Sequence, residues 1–290
     1  MGVHLYRTAK GLARRDGDEL VLLDLPYGDV GALLAAGIGL ASGAGELGRV
    51  PLGEATVLSP IEQPAHLVLN GLLYAGHIAE AGQPTPTSPA FILANGGALD
   101  APGAPIVLPP GASGQVDYEG EVALVIGRAT AGVTAREAWD CVAGLTIVND
   151  VSERREQLAA MGGESWDVAP MVRSKRHPGF KPCGPALVTT DEFGENPDLE
   201  IETRLNGVLV QHDWTRNMIF RFTEIVAAVS AEMALSAGDV ICTGTPAGVA
   251  LSTGRYLADG DVVDITVEGI GTLSNPVTAR PFVQEARGQR

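Results

Sequence analysis

The stretch Val116–Gly127, VDYEGEVALVIG, has the alternating pattern of a β-strand. Its apolar side chains recur at every second position and would share one face, namely Val116, Tyr118, Val122, Leu124 and Ile126. Glu119 and Glu121 lie two residues apart and therefore share the opposite face. Because two bare carboxylates at this spacing would repel each other, the stretch predicts a cation between them.

A third acid follows on the next predicted strand. Thr134 and Glu137 have the spacing of a capping box, which predicts the start of a helix, and Gly144 is placed to end it. The apolar run 145–148 then predicts a second strand. This strand leads to Asp150, so a third carboxylate lies at a strand terminus, where binding sites are commonly built.

Three carboxylates with no cysteine or histidine beside them favour a hard divalent cation, Mg²⁺, Mn²⁺ or Ca²⁺, over zinc. The tripeptide Glu119–Glu121 by itself is more typical of a solvated strand face. The apolar residues that continue both strands favour burial instead, namely Ala123, Val125, Ile147 and Val148. Since an unpaired buried charge would be costly, this setting favours the metal site.

The charge balance argues against a protein that binds nucleic acid. The 290 residues include 20 Lys and Arg against 35 Asp and Glu, a formal net charge of −15 that would repel phosphates. The hydrophobic share of 45% and the charged share of 19% are those of a globular protein. We therefore expect small molecules and cations as partners, with no nucleic acid and no membrane.

Cysteine usage and the apolar runs predict a soluble, cytoplasmic protein. Cys141, Cys183 and Cys242 are odd in number and widely separated, which argues against a disulfide framework. The segment Met1–Asp18 lacks the apolar run of a signal peptide. The apolar region Val30–Ala44 is interrupted by glycines and is too short to span a bilayer.

The chain is predicted to contain a small N-terminal unit, residues 1–65, and a β-rich catalytic, metal-binding domain, residues 66–290. The proline-containing segment 51–64 crosses between them. Within the larger domain, Asn206-Gly207 has the chemistry of a hairpin turn, and Thr223–Leu235 has the pattern of an amphipathic helix.

A candidate general base follows the strand predicted at residues 66–70. If a helix begins near Tyr74, His77 and Glu80 lie three residues apart on one side of it. A carboxylate partner fixes the tautomer of a histidine and favours its protonated form, which is the usual arrangement of a general base. The same spacing also fits a surface pair at a helix end. The proline-rich segment 82–89 is predicted to be a loop and is a candidate lid.

Two further segments carry groups suited to anions. The first is a basic cluster that consists of Arg173, Lys175, Arg176 and His177. In an acidic protein it is either a solvated loop or a binding site for substrate carboxylate or oxyanion groups. The second is the loop Thr243–Gly248, which either presents backbone N–H groups and a hydroxyl to an anion or is a plain tight turn.

Four motifs, taken together and in this order, resemble the fumarylacetoacetate hydrolase family. They are Asp117-Tyr118-Glu119-Gly120-Glu121, Asn149-Asp150-Val151-Ser152, Asn217-Met218-Ile219-Phe220, and Gly238-Asp239-Val240 with Gly244-Thr245-Pro246-Ala247-Gly248-Val249. The resemblance implies an α+β, mostly β fold, a mixed β-sandwich roll of the fumarylacetoacetate hydrolase C-terminal type with a small N-terminal unit. It also implies a homodimer and Mg²⁺ or Mn²⁺ as the cofactor.

The resemblance assigns roles to individual positions. Glu119, Glu121 and Asp150 match the metal carboxylates of the family, in agreement with the alternation. His77 and Glu80 match a catalytic His-x-x-Glu dyad, which activates a water in the hydrolytic members.

Three further positions match the family, and two depart from it. Lys175, a fixed distance before a Gly-Pro pair, matches a catalytic lysine, and Gln157 and Thr245 match polar positions that line the substrate pocket. Leu73 replaces the usual Asn before the tyrosine of the dyad segment, and Leu93 replaces the usual Lys of a Phe-x-Lys element. Both departures are expected to alter polar contacts in the pocket.

Other positions indicate which branch of the family the chain resembles. Arg155 stands where many members have Asp, which is expected to reshape the mouth of the site. Ser152-Glu153-Arg154 and Gly162-Gly163 resemble the branch that handles acylpyruvates and dioxo sugar acids and is often labelled ureidoglycolate lyase.

The resemblance implies a divalent-metal-dependent hydrolase that cleaves a C–C bond in a small 1,3-dicarbonyl or 2-oxo acid, such as an acylpyruvate or 2,4-dioxo acid, through an enolate. Oxaloacetate decarboxylase, 2-oxo-alkenoate hydratase and hydroxymuconate isomerase are alternatives on the same site, because all of them stabilise an enolate. A non-catalytic β-domain that holds a structural Ca²⁺ is an alternative of a different class.

Overall fold

The computed structural model describes residues 2–39, 43–109, 114–161 and 168–279, so Gly162-Gly163 lie outside the described residues. The described strands are β1 His4–Thr8, β2 Gly11–Asp16, β3 Glu19–Leu23, β4 Glu46–Pro51, β5 Val57–Leu58, β6 Leu67–Gly71, β7 Ala90–Leu93, β8 Ile106–Val107, β9 Val116–Asp117, β10 Gly120–Ile126, β11 Val142–Asn149, β12 Ser152–Glu153, β13 Cys183–Thr189, β14 Glu200–Leu205, β15 Val208–Trp214, β16 Val240–Cys242, β17 Val262–Val267 and β18 Gly271–Thr278. The described helices are α1 Val30–Ala35, α2 Ala75–Glu80, α3 Ala135–Ala138, α4 Arg154–Met161, α5 Val168–Ser174, α6 Phe222–Glu232 and α7 Ala250–Thr253.

The strands form two main sheets and one short ribbon. The larger sheet has the order β4-β3-β2-β1-β13-β11-β10-β16-β6-β7, and β5 also pairs with β1. The smaller sheet has the order β15-β14-β17-β18-β8, and β12 pairs with β9 in the ribbon. The predicted fold class, mostly β with mixed sheets, is confirmed. In the described part of the chain, no helix is long and apolar enough to cross a membrane.

The N-terminal strands continue the larger sheet. Strand β1 pairs antiparallel with β13, with His4 opposite Val188 and Leu5 opposite Leu187. Strands β2, β3 and β4 extend the sheet outward from β1. The division into units 1–65 and 66–290 stays a prediction, and the two are joined by main-chain hydrogen bonds.

The central strand β10 is buried on both faces. Val122 and Leu124 pack into one hydrophobic cluster, and Ala123 and Val125 pack into a second cluster on the other side of the sheet. The expected burial of the acid-bearing face is therefore confirmed. One detail is wrong: Val116–Gly127 does not form one strand, because β9 and β10 are separated at Tyr118 and Glu119, so that β9 can leave the sheet and pair with β12.

The prediction for the helix that follows β10 is half right. The capping box of Thr134 and Glu137 is present at the start of α3, with the Glu137 carboxylate accepting from the Thr134 N–H at 3.0 Å. Gly144 does not end the helix, because it lies inside strand β11. A Cβ atom at position 144 would collide with the main-chain carbonyl of Val188, so this glycine allows β13 to approach β11.

Two predictions for the second half of the chain are confirmed. Asn206 and Gly207 join β14 to β15 with φ angles of 53° and 76°, the left-handed values that a tight hairpin requires. Helix α6 buries Ile225, Val226 and Val229 on its apolar side, as predicted from the periodicity, but it ends at Glu232 and not at Leu235.

Candidate active site

The three predicted metal carboxylates come together in the interior of the protein. Glu119, Glu121 and Asp150 are 6%, 1% and 2% exposed, and one carboxylate oxygen from each lies within 4.8 Å of the others. Strand pairing produces this arrangement, because Gly120 lies opposite Asn149 in the β10–β11 register. The main-chain N–H of Asp150 also donates to the carbonyl of Glu119 at 2.9 Å. We call this group the acid triad.

Gly120 separates two members of the acid triad because a side chain has no space there. A Cβ atom at position 120 would collide with the Thr203 hydroxyl and would lie 3.1 Å from the Ile265 side chain, both on the smaller sheet. The Gly120 N–H donates to Gln211 Oε1 at 3.2 Å. The glycine therefore lets the smaller sheet close against the strand that carries the acids.

Lys175 enters the acid triad from the end of α5. Its Nζ donates to Glu119 Oε2 at 2.5 Å and to Asp150 Oδ2 at 2.8 Å. Burial by itself lowers the pKa of Lys175, but the Asp150 and Glu119 carboxylates outweigh burial and raise it. An ammonium group thus lies between two of the three acids, which shows that this point attracts a cation.

Arg154 connects the acid triad to residues that the sequence patterns did not single out as functional. Its Nε donates to Asp117 Oδ2 at 2.7 Å, and its guanidinium NH2 donates to Glu119 Oε1 at 2.6 Å. Asp117 also accepts from the N–H groups of Ala250 and Leu251 at 2.7 and 2.9 Å, at the start of α7. The position of Asp117, two residues before Glu119 on an alternating segment, was a signal that could have indicated this role.

The three acids differ in their neutralising partners. Burial raises the pKa of Glu119, but Arg154 and Lys175 outweigh burial and lower it. Burial raises the pKa of Glu121 well above its ordinary value, and the Asp150 and Glu119 carboxylates raise it further. Glu121 accepts the Gly244 N–H at 2.7 Å, and among the described residues it forms no ion pair within 4 Å. Glu121 is therefore the acid that a bound cation would stabilise most.

In the metal-free protein, Glu121→Gln is expected to raise the free energy of unfolding by about 1–3 kcal/mol at pH 8. Because the pKa of Glu121 is raised in the folded state, protonated Glu121 contributes fully to stability at a pH below its unfolded pKa of about 4.3. This contribution is lost as the pH rises through the folded pKa. The difference between variant and wild type should therefore shrink toward pH 4, as measured by urea unfolding with a chelator present.

Glu54→Gln, on the surface, is the control for this comparison, and it should show a small difference that does not vary with pH. A Glu121→Gln difference that stays constant from pH 4 to pH 8, or that grows toward acid, would contradict the raised pKa.

The predicted His–Glu pair is formed and is half-buried. His77 Nδ1 lies 2.7 Å from Glu80 Oε1, and their side chains are 13% and 18% exposed. Glu80 Oε2 accepts the Gly248 N–H at 2.9 Å, so the pair is tied to the loop after β16. His77 is close enough to Glu119 to contribute, after Arg154 and Lys175, to the lowered pKa of that acid, which places the pair beside the acid triad.

The other predicted site residues differ in their surroundings. The Thr245 hydroxyl donates to the Gly120 carbonyl at 2.9 Å and accepts from Gln211 Nε2 at 2.8 Å. Gln157 is half-buried, and its Oε1 accepts from Arg154 at 2.6 Å. Thr245 therefore binds the glycine between two members of the acid triad, and Gln157 binds Arg154, which in turn binds Glu119.

The basic cluster does not act as one unit. Of its four members, Lys175 alone contacts the acid triad, while Arg173 and Arg176 are exposed. His177 Nε2 lies 3.3 Å from Glu156 Oε2. A second lysine that the patterns did not select, Lys181, contacts Asp150 instead.

Comparison with known proteins shows which family this chain belongs to. The family model described as Fumarylacetoacetate (FAA) hydrolase C-terminal matches residues 67–278. Human oxaloacetate tautomerase FAHD2B, mitochondrial, is 36% identical over 236 residues, which cover 81% of this chain and 73% of the relative.

Two solved structures superpose over nearly the whole chain. Fumarylacetoacetate hydrolase from psychrophilic Exiguobacterium antarcticum has a TM-score of 0.80 and 31% identity, covering 96% of this chain and 100% of that chain. The 2-hydroxyhepta-2,4-diene-1,7-dioate isomerase from Mycobacterium marinum has a TM-score of 0.75 and 34% identity, covering 96% and 98%. The chain belongs to the fumarylacetoacetate hydrolase family, and it is an enzyme.

Proposed function

We propose that this protein is a divalent-metal-dependent enzyme that acts on a small 2-oxo acid through its enolate. The observation that carries the proposal is the buried acid triad beside the His77–Glu80 pair. A buried cluster of acids favours a cation, and an oriented histidine next to it can move a proton. The two together are the groups that enolate chemistry requires.

The donor set fits Mg²⁺ or Mn²⁺. Glu119, Glu121 and Asp150 would hold the ion through carboxylate oxygens, the ligands that hard divalent cations prefer. The position of the Lys175 ammonium between two of these acids supports the fit. When bound, the ion would supply Lewis-acid stabilisation of the negative charge on the substrate oxygens.

His77 is the general base in this proposal. Glu80 holds Nδ1, so that Nε2 is the ring nitrogen that accepts a proton, and the Glu80 carboxylate then stabilises the imidazolium. The Gly248 N–H fixes the second oxygen of Glu80, so the base is oriented before substrate arrives. Lys175 donates hydrogen bonds to the substrate carboxylate or to the developing oxyanion, and Thr245 contributes its hydroxyl.

Hydrolysis of the C–C bond of an acylpyruvate or 2,4-dioxo acid is the first candidate reaction. His77 removes a proton from a water, the hydroxide attacks the distal carbonyl, and the bond between that carbonyl and the central carbon breaks. The electron pair leaves as the enolate of pyruvate, which takes up a proton, and the distal fragment leaves as a carboxylic acid. Each step uses the base and the anion-stabilising groups that the site contains.

Tautomerisation of oxaloacetate is the second candidate, because relatives at 36% identity are named oxaloacetate tautomerases. Here His77 would remove a proton from the carbon next to the oxo group, the resulting enolate oxygen would take up a proton, and no C–C bond would break. An assay with oxaloacetate and acylpyruvates in deuterated water separates the candidates. Pyruvate release from an acylpyruvate supports hydrolysis, whereas deuterium exchange at the carbon next to the oxo group without cleavage supports tautomerisation.

The remaining alternatives give other products in the same assay. Carbon dioxide from oxaloacetate would indicate a decarboxylase, and conversion of a 2-oxo-alkenoate or a hydroxymuconate would indicate a hydratase or an isomerase. Thermal stabilisation by Ca²⁺ with no Mg²⁺-dependent turnover of any of these acids would contradict the proposal and favour a binding domain.

His77→Ala is expected to lower turnover by about 10²-fold or more, the usual scale for a general base, and to leave metal binding intact. Turnover and Mn²⁺ affinity should be measured on the same preparation. His212→Ala is the matched control, since His212 forms a similar 2.8 Å pair with Glu200 on the smaller sheet. Near-full activity of His77→Ala would remove the dyad from the mechanism.

We also propose that the enzyme is a cytoplasmic homodimer that has neither nucleic acid nor membrane as a partner. The support for a dimer is apolar surface near the β14–β15 turn, where Val208 and Leu209 are 49% and 42% exposed. Leu251, on helix α7, is also 41% exposed.

A further inference from the structure

Lys181 is a second buried lysine at the acid triad. Its side chain is 7% exposed, and its Nζ donates to the Phe180 carbonyl at 2.9 Å and to the Val151 carbonyl at 3.3 Å. A third oxygen, Asp150 Oδ1, lies 2.6 Å from Nζ as an ion-pair contact. The two carbonyls take two of the three N–H donors of the ammonium, and the contact with Asp150 is an ion pair without an aligned hydrogen bond.

The two oxygens of Asp150 therefore face two different lysines. Oδ1 lies against Lys181, while Oδ2 accepts from Lys175, which also binds Glu119. Among the described residues, Oδ1 has no aligned hydrogen-bond donor, so the charge of Lys181 is its main attraction. The bond from Lys181 to the Val151 carbonyl holds the main chain next to Asp150 at the same time.

We propose that Lys181 is a positioning residue that restricts Asp150 to one oxygen, Oδ2, as a ligand for the divalent cation of the acid triad. Carboxylates bind such cations through one oxygen or through both, and Mg²⁺ accepts six ligands in a strict octahedron. Three carboxylates that each give one oxygen leave three positions. Two of these can take a carboxylate oxygen and an oxo oxygen of the same 2-oxo acid.

Loss of the Lys181 contact with Asp150 would change which divalent cation the acid triad binds more tightly. Without Lys181, both oxygens of Asp150 could turn toward the cation and would leave two positions. Because the two oxygens of one carboxylate lie too close together for a regular octahedron, these two positions would be distorted for the 2-oxo acid. Ca²⁺ tolerates carboxylates that bind through two oxygens and accepts more ligands than Mg²⁺. Lys181 would therefore favour Mg²⁺ over Ca²⁺ and keep the two substrate positions in octahedral geometry. This inference rests on the proposed function, since it requires both the cation and a chelating acid.

Lys181→Met is the test variant, because methionine keeps a long unbranched side chain without the charge. Two quantities should be measured: the ratio of Ca²⁺ to Mg²⁺ affinity, by competition with Mn²⁺ followed by electron paramagnetic resonance, and the affinity of the Mn²⁺-loaded protein for oxalate, by calorimetry. Both are expected to change by about tenfold or more, the scale on which groups that orient a metal ligand act. The ratio should rise, and oxalate should bind more weakly.

Lys10→Met, at an exposed turn, is the control and should match the wild type in both measurements. A Lys181→Met protein with the wild-type ion ratio and oxalate affinity would overturn the inference. If that variant does not fold, the wild-type crystal structure with Mn²⁺ decides: Asp150 bound through Oδ2 alone supports the inference, and Asp150 bound through both oxygens overturns it. A wild-type protein that binds neither Mn²⁺ nor oxalate would instead contradict the proposed function.

Discussion

Asp150→Asn is expected to lower metal-dependent turnover by about 10³-fold or more, since a bound ion supplies several kcal/mol of charge stabilisation. The variant removes one negative charge but leaves Lys175 and Lys181, whose ammonium groups lie 2.8 and 2.6 Å from the Asp150 oxygens. Two positive charges would then face a site with two acids. Cation binding should weaken more than the loss of a single ligand explains.

Mn²⁺ titration followed by turnover at saturating Mn²⁺ measures both parts of this effect. Asp198→Asn is the control, because Asp198 forms an exposed ion pair with Arg216 on the surface and should give wild-type values. Metal-dependent turnover of Asp150→Asn close to that of the wild type would contradict the role of the acid triad as the cation site.

Arg154→Met is expected to lower the free energy of unfolding of the metal-free protein by about 3–5 kcal/mol, the cost of breaking a buried ion pair from one side. Arg154 is buried between Asp117 and Glu119, whose side chains are 0% and 8% exposed. Methionine fills similar space but leaves both carboxylates without their main counter-charge. Urea unfolding at pH 7 measures the change.

The same substitution at the surface supplies the control. Arg216 is 50% exposed and lies 2.6 Å from Asp198, so Arg216→Met should cost no more than about 1 kcal/mol. Equal losses for the two variants would mean that the Asp117–Arg154–Glu119 network contributes no more to stability than an ordinary surface pair does.

Local patterns predicted the position of the acids, because alternation along a strand depends only on neighbouring residues. Glu119 and Glu121 share a face for that reason, and pairing of the next strand brings Asp150 beside them. The capping box of Thr134 and the hairpin turn at Asn206 were predictable on the same ground, since each is formed within a few residues.

Contacts between distant segments could not be predicted from such local patterns. A glycine at position 144 is typical of a helix end. It lies instead in β11, because the distant strand β13 approaches it closely. The contacts of Arg154 with Asp117 and of Lys181 with Asp150 depend on how the sheets pack, and no spacing in the sequence fixes them. For Lys175, the family resemblance supplied what periodicity could not.

The pairing of β1 with β13 has a consequence for any attempt to isolate the catalytic part. The family model begins at residue 67, yet β13, which begins at Cys183 shortly after Lys181, has β1 as its outer neighbour. A fragment that starts at residue 67 would leave the backbone groups along that side of β13 open to strands of other molecules, a known route to aggregation. Supplying residues 1–65 as a separate peptide would close this edge again, which makes the junction a natural place to split the enzyme into two complementing halves.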